Sequence, residues 1–239
     1  MTSLVLVGGL NNTPAIWADV TTALNAALPD RLTLHTPVLP ALNSTEAISR
    51  ELLASLPARF SYVGFSFGGF VGLAMLEAEP HRFERFALVC SSTQADAESS
   101  RPARLKAMEI AAGGGHTQMI AKGFPHTVHP DRLDDAALIA CREKMVPLYG
   151  AERFIAHMQA CLDRPDRTEV LRRFDGPKLL VTTSHDKVVP PQLVRDVAGK
   201  VPDARFRLIE QSGHLLPLEQ PSALLTELVD WLALPVLRR

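Results

Sequence analysis

Cysteine is scarce in this chain, and the three thiols present, Cys90, Cys141 and Cys161, are odd in number and widely separated. That spacing excludes a disulfide framework and supplies no zinc-ligand pair, so buried thiols in a reducing cytoplasm are expected. Net charge is almost absent too, at −1 over 239 residues. With no basic surplus, nothing draws the chain to nucleic acid or to an anionic membrane surface. Long apolar runs are missing: no stretch approaches the roughly 18 residues of a membrane span. Leu4-Val5-Leu6-Val7 is too short for a leader and has neither a basic region before it nor a small-residue cleavage site after it, so it reads as a first strand. Internal repeats and low-complexity linkers are also lacking. These absences leave small-molecule chemistry open, and a cytoplasmic protein with a small-molecule substrate is expected.

What is present is a balanced globular composition, 46% hydrophobic and 21% charged, enough for one sizeable core with an insertion. Strand and helix alternate from the start. Leu4 to Val7 is closed by Gly8-Gly9; Pro14 to Leu28 has helical periodicity through Ile16, Trp17, Val20, Leu24 and Leu28; and Arg31 to His35 reads as a strand. Ser44 suits the N-cap of a helix running to about Leu56, and Phe60 to Phe65 is aromatic and β-branched. A helix follows over Val71 to Glu79, then a strand over Phe86 to Cys90. Such alternation predicts a parallel sheet with helices on both faces.

From about Ser91 to Gly176 the pattern changes to short helical stretches: Ala95 to Ala112, Met119 to Phe124, Arg132 to Val146 and Glu152 to Leu162. Gly113-Gly114-Gly115 is expected to break the first of them. Because it does not lie between a strand and a helix, it fails as a phosphate loop. Strand and helix resume with Lys178 to Thr183, Pro191 to Lys200, Arg205 to Ile209 and Ser222 to Trp231. The expected division is therefore a core of residues 1–91 and 177–239 with a helical cap over 92–176.

Chemistry concentrates at the carboxyl ends of three strands, where loops of an open parallel sheet converge. In Gly64-Phe65-Ser66-Phe67-Gly68 a strand turns over a serine into a helix, and small residues two places either side allow the strained turn. The Ser66 hydroxyl then stands beside free N–H groups and the positive end of a helix dipole. A serine is a weak nucleophile at neutral pH unless an imidazole takes its proton and a carboxylate orients that imidazole. His214, in Gln211-Ser212-Gly213-His214, and Asp186, in Ser184-His185-Asp186-Lys187-Val188-Val189-Pro190, follow the last two strands. Asp96 is the competing acid and is placed less well. His185 reads as an ordinary loop residue, and His126 and His129 lack the third ligand that a metal site needs.

Together these features resemble the α/β-hydrolase fold superfamily, in its small-capped esterase and lactonase members. The resemblance covers nearly the whole chain: the Leu4 to Gly9 strand and loop, Trp17, the Ser66 elbow, the Ser184 to Pro190 acid loop and Ser212-Gly213-His214. It implies about six mostly parallel strands, helices on both faces and an inserted helical cap. It also implies a serine hydrolase that cleaves a small carboxylic ester or lactone through an acyl-Ser66 intermediate, with no metal or other cofactor. The oxyanion would lie against the backbone N–H groups of Phe67 and Leu10. Many members carry His-Gly where this chain has Gly8-Gly9, so Asn11, Asn12 or Thr13 is expected to stiffen that loop. Trp17, Phe124, Met145, Val188 and Leu215 are the candidates for the substrate pocket, and Phe154 and Met158 either line it or join cap to core. The same three groups would also serve thioester or carbon-carbon hydrolysis, acyl transfer or perhydrolysis. A non-catalytic small-molecule receptor on this fold is the alternative of another class.

Overall fold

Six apolar runs become six strands: β1 (Thr2–Val7), β2 (Leu32–His35), β3 (Phe60–Phe65), β4 (Phe83–Val89), β5 (Lys178–Thr183) and β6 (Arg205–Ile209). The computed structural model describes residues 2–236. The strands form one sheet in the order β2-β1-β3-β4-β5-β6, and every neighbouring pair is parallel. β3 and β5 are buried along their whole length, as expected of strands covered on both faces. Edge strand β6 alternates exposed and half-buried residues instead.

Successive side chains of a strand point to opposite faces, so each of the four central strands, β1, β3, β4 and β5, feeds two cores. Val5, Val7, Tyr62, Phe86, Leu88 and Leu180 go to one apolar cluster. Leu4, Leu6, Val63, Phe65, Val89 and Val181 go to the other. Helices α1 (Ala18–Ala27), α2 (Thr45–Ser55) and α3 (Phe67–Ala78) precede β4. Ser44 caps α2, its hydroxyl accepting the Ala47 N–H at 3.1 Å. The expected Pro14 helix begins instead as a separate 3-10 turn, Pro14–Trp17, before α1.

Between β4 and β5 the described residues are helical without a strand: α4 (Arg101–Ile110), α5 (His116–Gly123), α6 (Ala136–Tyr149), α7 (Ala151–Asp163) and α8 (Thr168–Arg173). Three expectations change here. The first helix starts at Arg101, not Ala95, because Asp96 is held in ion pairs with Arg104 and Arg164. Gly113-Gly114-Gly115 does not end the helical path but carries it through a wide π turn, kinked at Gly114 where φ is 84°. α6 starts at Ala136 because Asp135 accepts the Ala137 and Leu138 N–H groups, both at 3.0 Å. After β5 come α9 (Pro191–Lys200), α10 (Leu216–Glu219) and α11 (Pro221–Leu232). No helix among the described residues is long and apolar enough to cross a membrane.

Candidate active site

Ser66 sits between β3 and α3 with φ 51° and ψ −118°, a left-handed conformation that is costly for a residue with a side chain. Its surroundings hold it there. The Ser66 N–H donates to Val89 O at 2.9 Å, and the Ser66 carbonyl accepts from Ser91 Oγ at 2.8 Å. Tyr62 Oη donates to Gly68 O at 2.7 Å, tying strand to helix across the turn. A Cβ on Gly64 would lie 2.6 Å from Gly69 Cα, and one on Gly68 would lie 2.8 Å from Gly8 O, so both positions require glycine.

Asp186 and His214 meet Ser66 from the ends of β5 and β6. Asp186 Oδ1 accepts the Val188 and Val189 N–H groups, both at 2.8 Å, which aims Oδ2 at His214 Nδ1, 2.7 Å away. An Nδ1–H that donates to a carboxylate leaves Nε2 as acceptor, and Nε2 lies 2.9 Å from Ser66 Oγ. Asp186 and His214 are buried, while Ser66 is half-buried. The relay thus has a dry end and an open one. Beside it lies Cys90, whose thiol is pushed up in pKa by burial and then by the Asp186 carboxylate, keeping it protonated. Cys90, Asp186 and His214 are the only three donors of metal-site type that converge among the described residues, and the last two already engage each other.

Glu219 of α10 is a supporting residue that the sequence reading did not single out. Its buried carboxylate accepts the Gly213 N–H at 3.0 Å and the His129 N–H at 2.7 Å, locking the loop that carries His214. A Cβ on Gly213 would lie 2.6 Å from Val128 Cα, so the helical insertion rests directly on that loop.

Opposite His214, the loop after β1 closes on the serine. A Cβ at Gly9 would come within 2.8 Å of Ser66 Cβ, which puts the next residue, Leu10, at the rim of the site. The Leu10 N–H has no partner among the described residues, and Phe67, first in α3, has an N–H without an intrahelical acceptor. Asn11 and Asn12 do hold this loop, with help from the insertion. Asn12 Nδ2 donates to Leu10 O at 2.8 Å, and Arg142 Nη1 donates to Asn11 O at 2.8 Å and to Asn12 Oδ1 at 2.6 Å. His116 Nε2 lies 2.8 Å from Asn11 Oδ1. Burial drives the Arg142 pKa down to about 10 and that of His116 below its usual value.

Of the expected pocket residues, Phe124 borders a cavity between α5 and α6, and Val188 is exposed on the acid loop. Trp17, Met145 and Leu215 need correction: at 0%, 2% and 2% exposure they have no surface to offer a ligand and pack into the apolar cluster beneath the site. Trp17 meets Phe65 edge-on. Phe154 and Met158 form a small core within the insertion, with Ala111 and Tyr149. Asp96 is fully engaged away from His214; burial alone would raise its pKa, but Arg104 and Arg164 outweigh that and hold it low. His185 is exposed with Nδ1 2.8 Å from Ser184 Oγ, His126 is exposed, and buried His129 accepts the Asp131 N–H.

A family model described as the alpha/beta hydrolase family matches residues 4–228. The chain belongs to that family. Among curated proteins, this α/β-hydrolase is 25% identical over 187 residues to a hydrolase of Bacillus subtilis, YugF, covering 71% of this chain but 64% of that one. It is 24% identical over 246 residues to a pimeloyl-[acyl-carrier protein] methyl ester esterase of Vibrio atlanticus, covering 95% and 93% of the two chains. The enol-lactonase from Burkholderia xenovorans shares the fold with a TM-score of 0.86 at 19% identity, over 98% of this chain and 92% of that one.

Proposed function

We propose that this α/β-hydrolase cleaves a small carboxylic ester or lactone through an acyl-Ser66 intermediate. The observation that carries the proposal is the continuous relay from Asp186 Oδ2 to His214 Nδ1 at 2.7 Å and from His214 Nε2 to Ser66 Oγ at 2.9 Å. In this reading Ser66 Oγ attacks the substrate carbonyl as His214 Nε2 takes its proton. The tetrahedral oxyanion lies against the Phe67 and Leu10 N–H groups. His214 returns the proton to the departing alkoxide, leaving an acyl-serine. Water, deprotonated by the same nitrogen, then attacks the acyl carbon and frees the acid. Asp186 stabilises the imidazolium at both stages, and each proton comes from substrate, water or the three side chains.

Residues 92–176 act as the cap in this scheme, resting on the His214 loop at Gly213 and on the oxyanion loop through Arg142 and His116. The esterase and enol-lactonase relatives support an oxygen ester as the scissile group. A fluorophosphonate probe should add to wild-type protein at Ser66, and hydrolysis of p-nitrophenyl butyrate should fall by about 10⁴- to 10⁶-fold in Ser66→Ala. An unlabelled serine, or activity that persists in Ser66→Ala, overturns the reading. A ligand receptor on the same fold would give neither label nor turnover.

A further inference from the structure

The cavity bordered by Phe124 measures about 270 Å³ and lies between α5 and α6. Ile120, Phe124, Ile139 and Val146 make its walls apolar, Thr117 and Glu143 are polar, and two further polar residues in the lining are Thr127 and Arg142. Each of those two residues contacts a loop of the site. Thr127 O accepts the N–H of Leu215, the residue after His214, and Arg142 Nη1 holds Asn11 and Asn12, the residues after Leu10. Thr127 and Arg142 thereby join the wall of the cavity to the two loops that flank Ser66.

Arg142 is unusual within that wall. It is 9% exposed, and it makes no ion pair among the described residues. Two uncharged oxygens occupy Nη1, whereas Nε and Nη2 have no hydrogen-bond partner among the described residues. Glu143 also borders the cavity, but it is exposed to water and does not pair with the guanidinium. A charged group this buried without a counter-charge is expensive, and the apolar walls beside it supply none. The missing partner is an anion with an apolar body.

We propose that this cavity receives the far end of a substrate acyl chain that ends in a carboxylate, with the free face of Arg142 pairing with that carboxylate. The preferred substrates are then monoesters of aliphatic dicarboxylic acids, or lactones bearing such a chain. This rests on the acyl-Ser66 reading for its chemistry, but the anion site is testable without turnover. A planar guanidinium with two free N–H donors matches a carboxylate in a bidentate pair, and charge-assisted pairing of this kind at a largely buried arginine is worth about 10- to 100-fold in affinity.

The test has two arms. In the first, monomethyl esters of the dicarboxylic acids from succinic to suberic are each compared with the neutral methyl ester of the same chain length. Wild type should favour the anionic ester at its best length by about 10- to 100-fold in kcat/KM, mostly through KM. Arg142→Gln should bring that ratio close to one, and Arg142→Lys should keep part of it. A variant that merely loosens the oxyanion loop lowers both esters alike and leaves the ratio unmoved, so that result overturns the proposal, as does a wild-type preference for the neutral esters. In the second arm, the free dicarboxylates should raise Tm of wild type and of Ser66→Ala, but not of Arg142→Gln. No shift in wild type, or an equal shift in Arg142→Gln, overturns the site. If no ester is turned over, the acyl-Ser66 reading fails and the thermal shift alone decides the anion site.

Discussion

Among single residues, His157 shows how burial sets chemistry next to the candidate site. It is fully buried on α7, and its Nε2–H donates to Pro40 O at 2.7 Å, which leaves Nδ1 to accept the Tyr149 hydroxyl. Its ring stacks on Phe67, whose backbone N–H is a proposed oxyanion donor, with centroids 4.7 Å apart. Burial lowers its pKa to about 4 from the usual 6.5, the Pro40 bond opposing this only in part. Between those two values the unfolded chain binds a proton that the folded chain refuses. Stability from this residue is therefore complete above pH 6.5 and is lost as pH falls toward 4, by roughly 3 kcal/mol in all. Urea midpoints should drop on going from neutral pH to about pH 5, and His157→Gln should flatten that part of the profile. Buried His116 shifts in the same direction and should contribute a residual slope.

Individual elements show why short helices matter out of proportion to their length. α10 has four residues, yet its Glu219 bonds backbone on both the His214 loop and the insertion. Glu219→Gln keeps one oxygen to accept both N–H groups, as Oε2 does now, but sets an amide NH2 where Oε1 met the Gly213 N–H, so a donor faces a buried donor. That should cost about 2 kcal/mol, or roughly 4–8 °C in Tm for a chain of this size, measured by thermal unfolding. Turnover should fall with it, because Gly213 precedes the proposed base. Neither effect is visible in sequence, where Glu219 looks like any acidic residue near a helix start. The same holds for Asp135, whose cap moved the start of α6 past Arg132.

For the whole molecule, the insertion is fastened to the sheet domain at its ends as well as over the site. Arg167, just before α8, is 3% exposed and bonds Glu46 of α2 at 2.5 Å and Glu77 of α3 at 2.8 Å, while its N–H donates to Thr93 O. These acids are half in water, so removing the arginine strands no buried charge. Arg167→Met should lower Tm by a few degrees through lost charge-assisted bonds. Fluorophosphonate labelling of Ser66 should proceed at an unchanged rate, since Arg142 and His116 hold the loop independently.

The linear chain by itself determined the six parallel strands, the strand–helix alternation that puts helices on both faces of the sheet, and the serine turn with its flanking glycines. Each depends on local period, β-propensity or backbone strain, which are properties of neighbours in sequence. It also named the carboxylate and the imidazole that the fold brings within hydrogen-bond distance of one another, because both follow strands whose carboxyl ends share one edge of the sheet. Only the tertiary structure decided what supports them. Glu219 meets Gly213 within one loop, but Arg142 reaches Asn11 across 131 positions and His116 reaches it across 105. Trp17, Met145 and Leu215 became core rather than pocket for the same reason: an apolar side chain is equally at home against a neighbour or a ligand, and packing alone chooses between them.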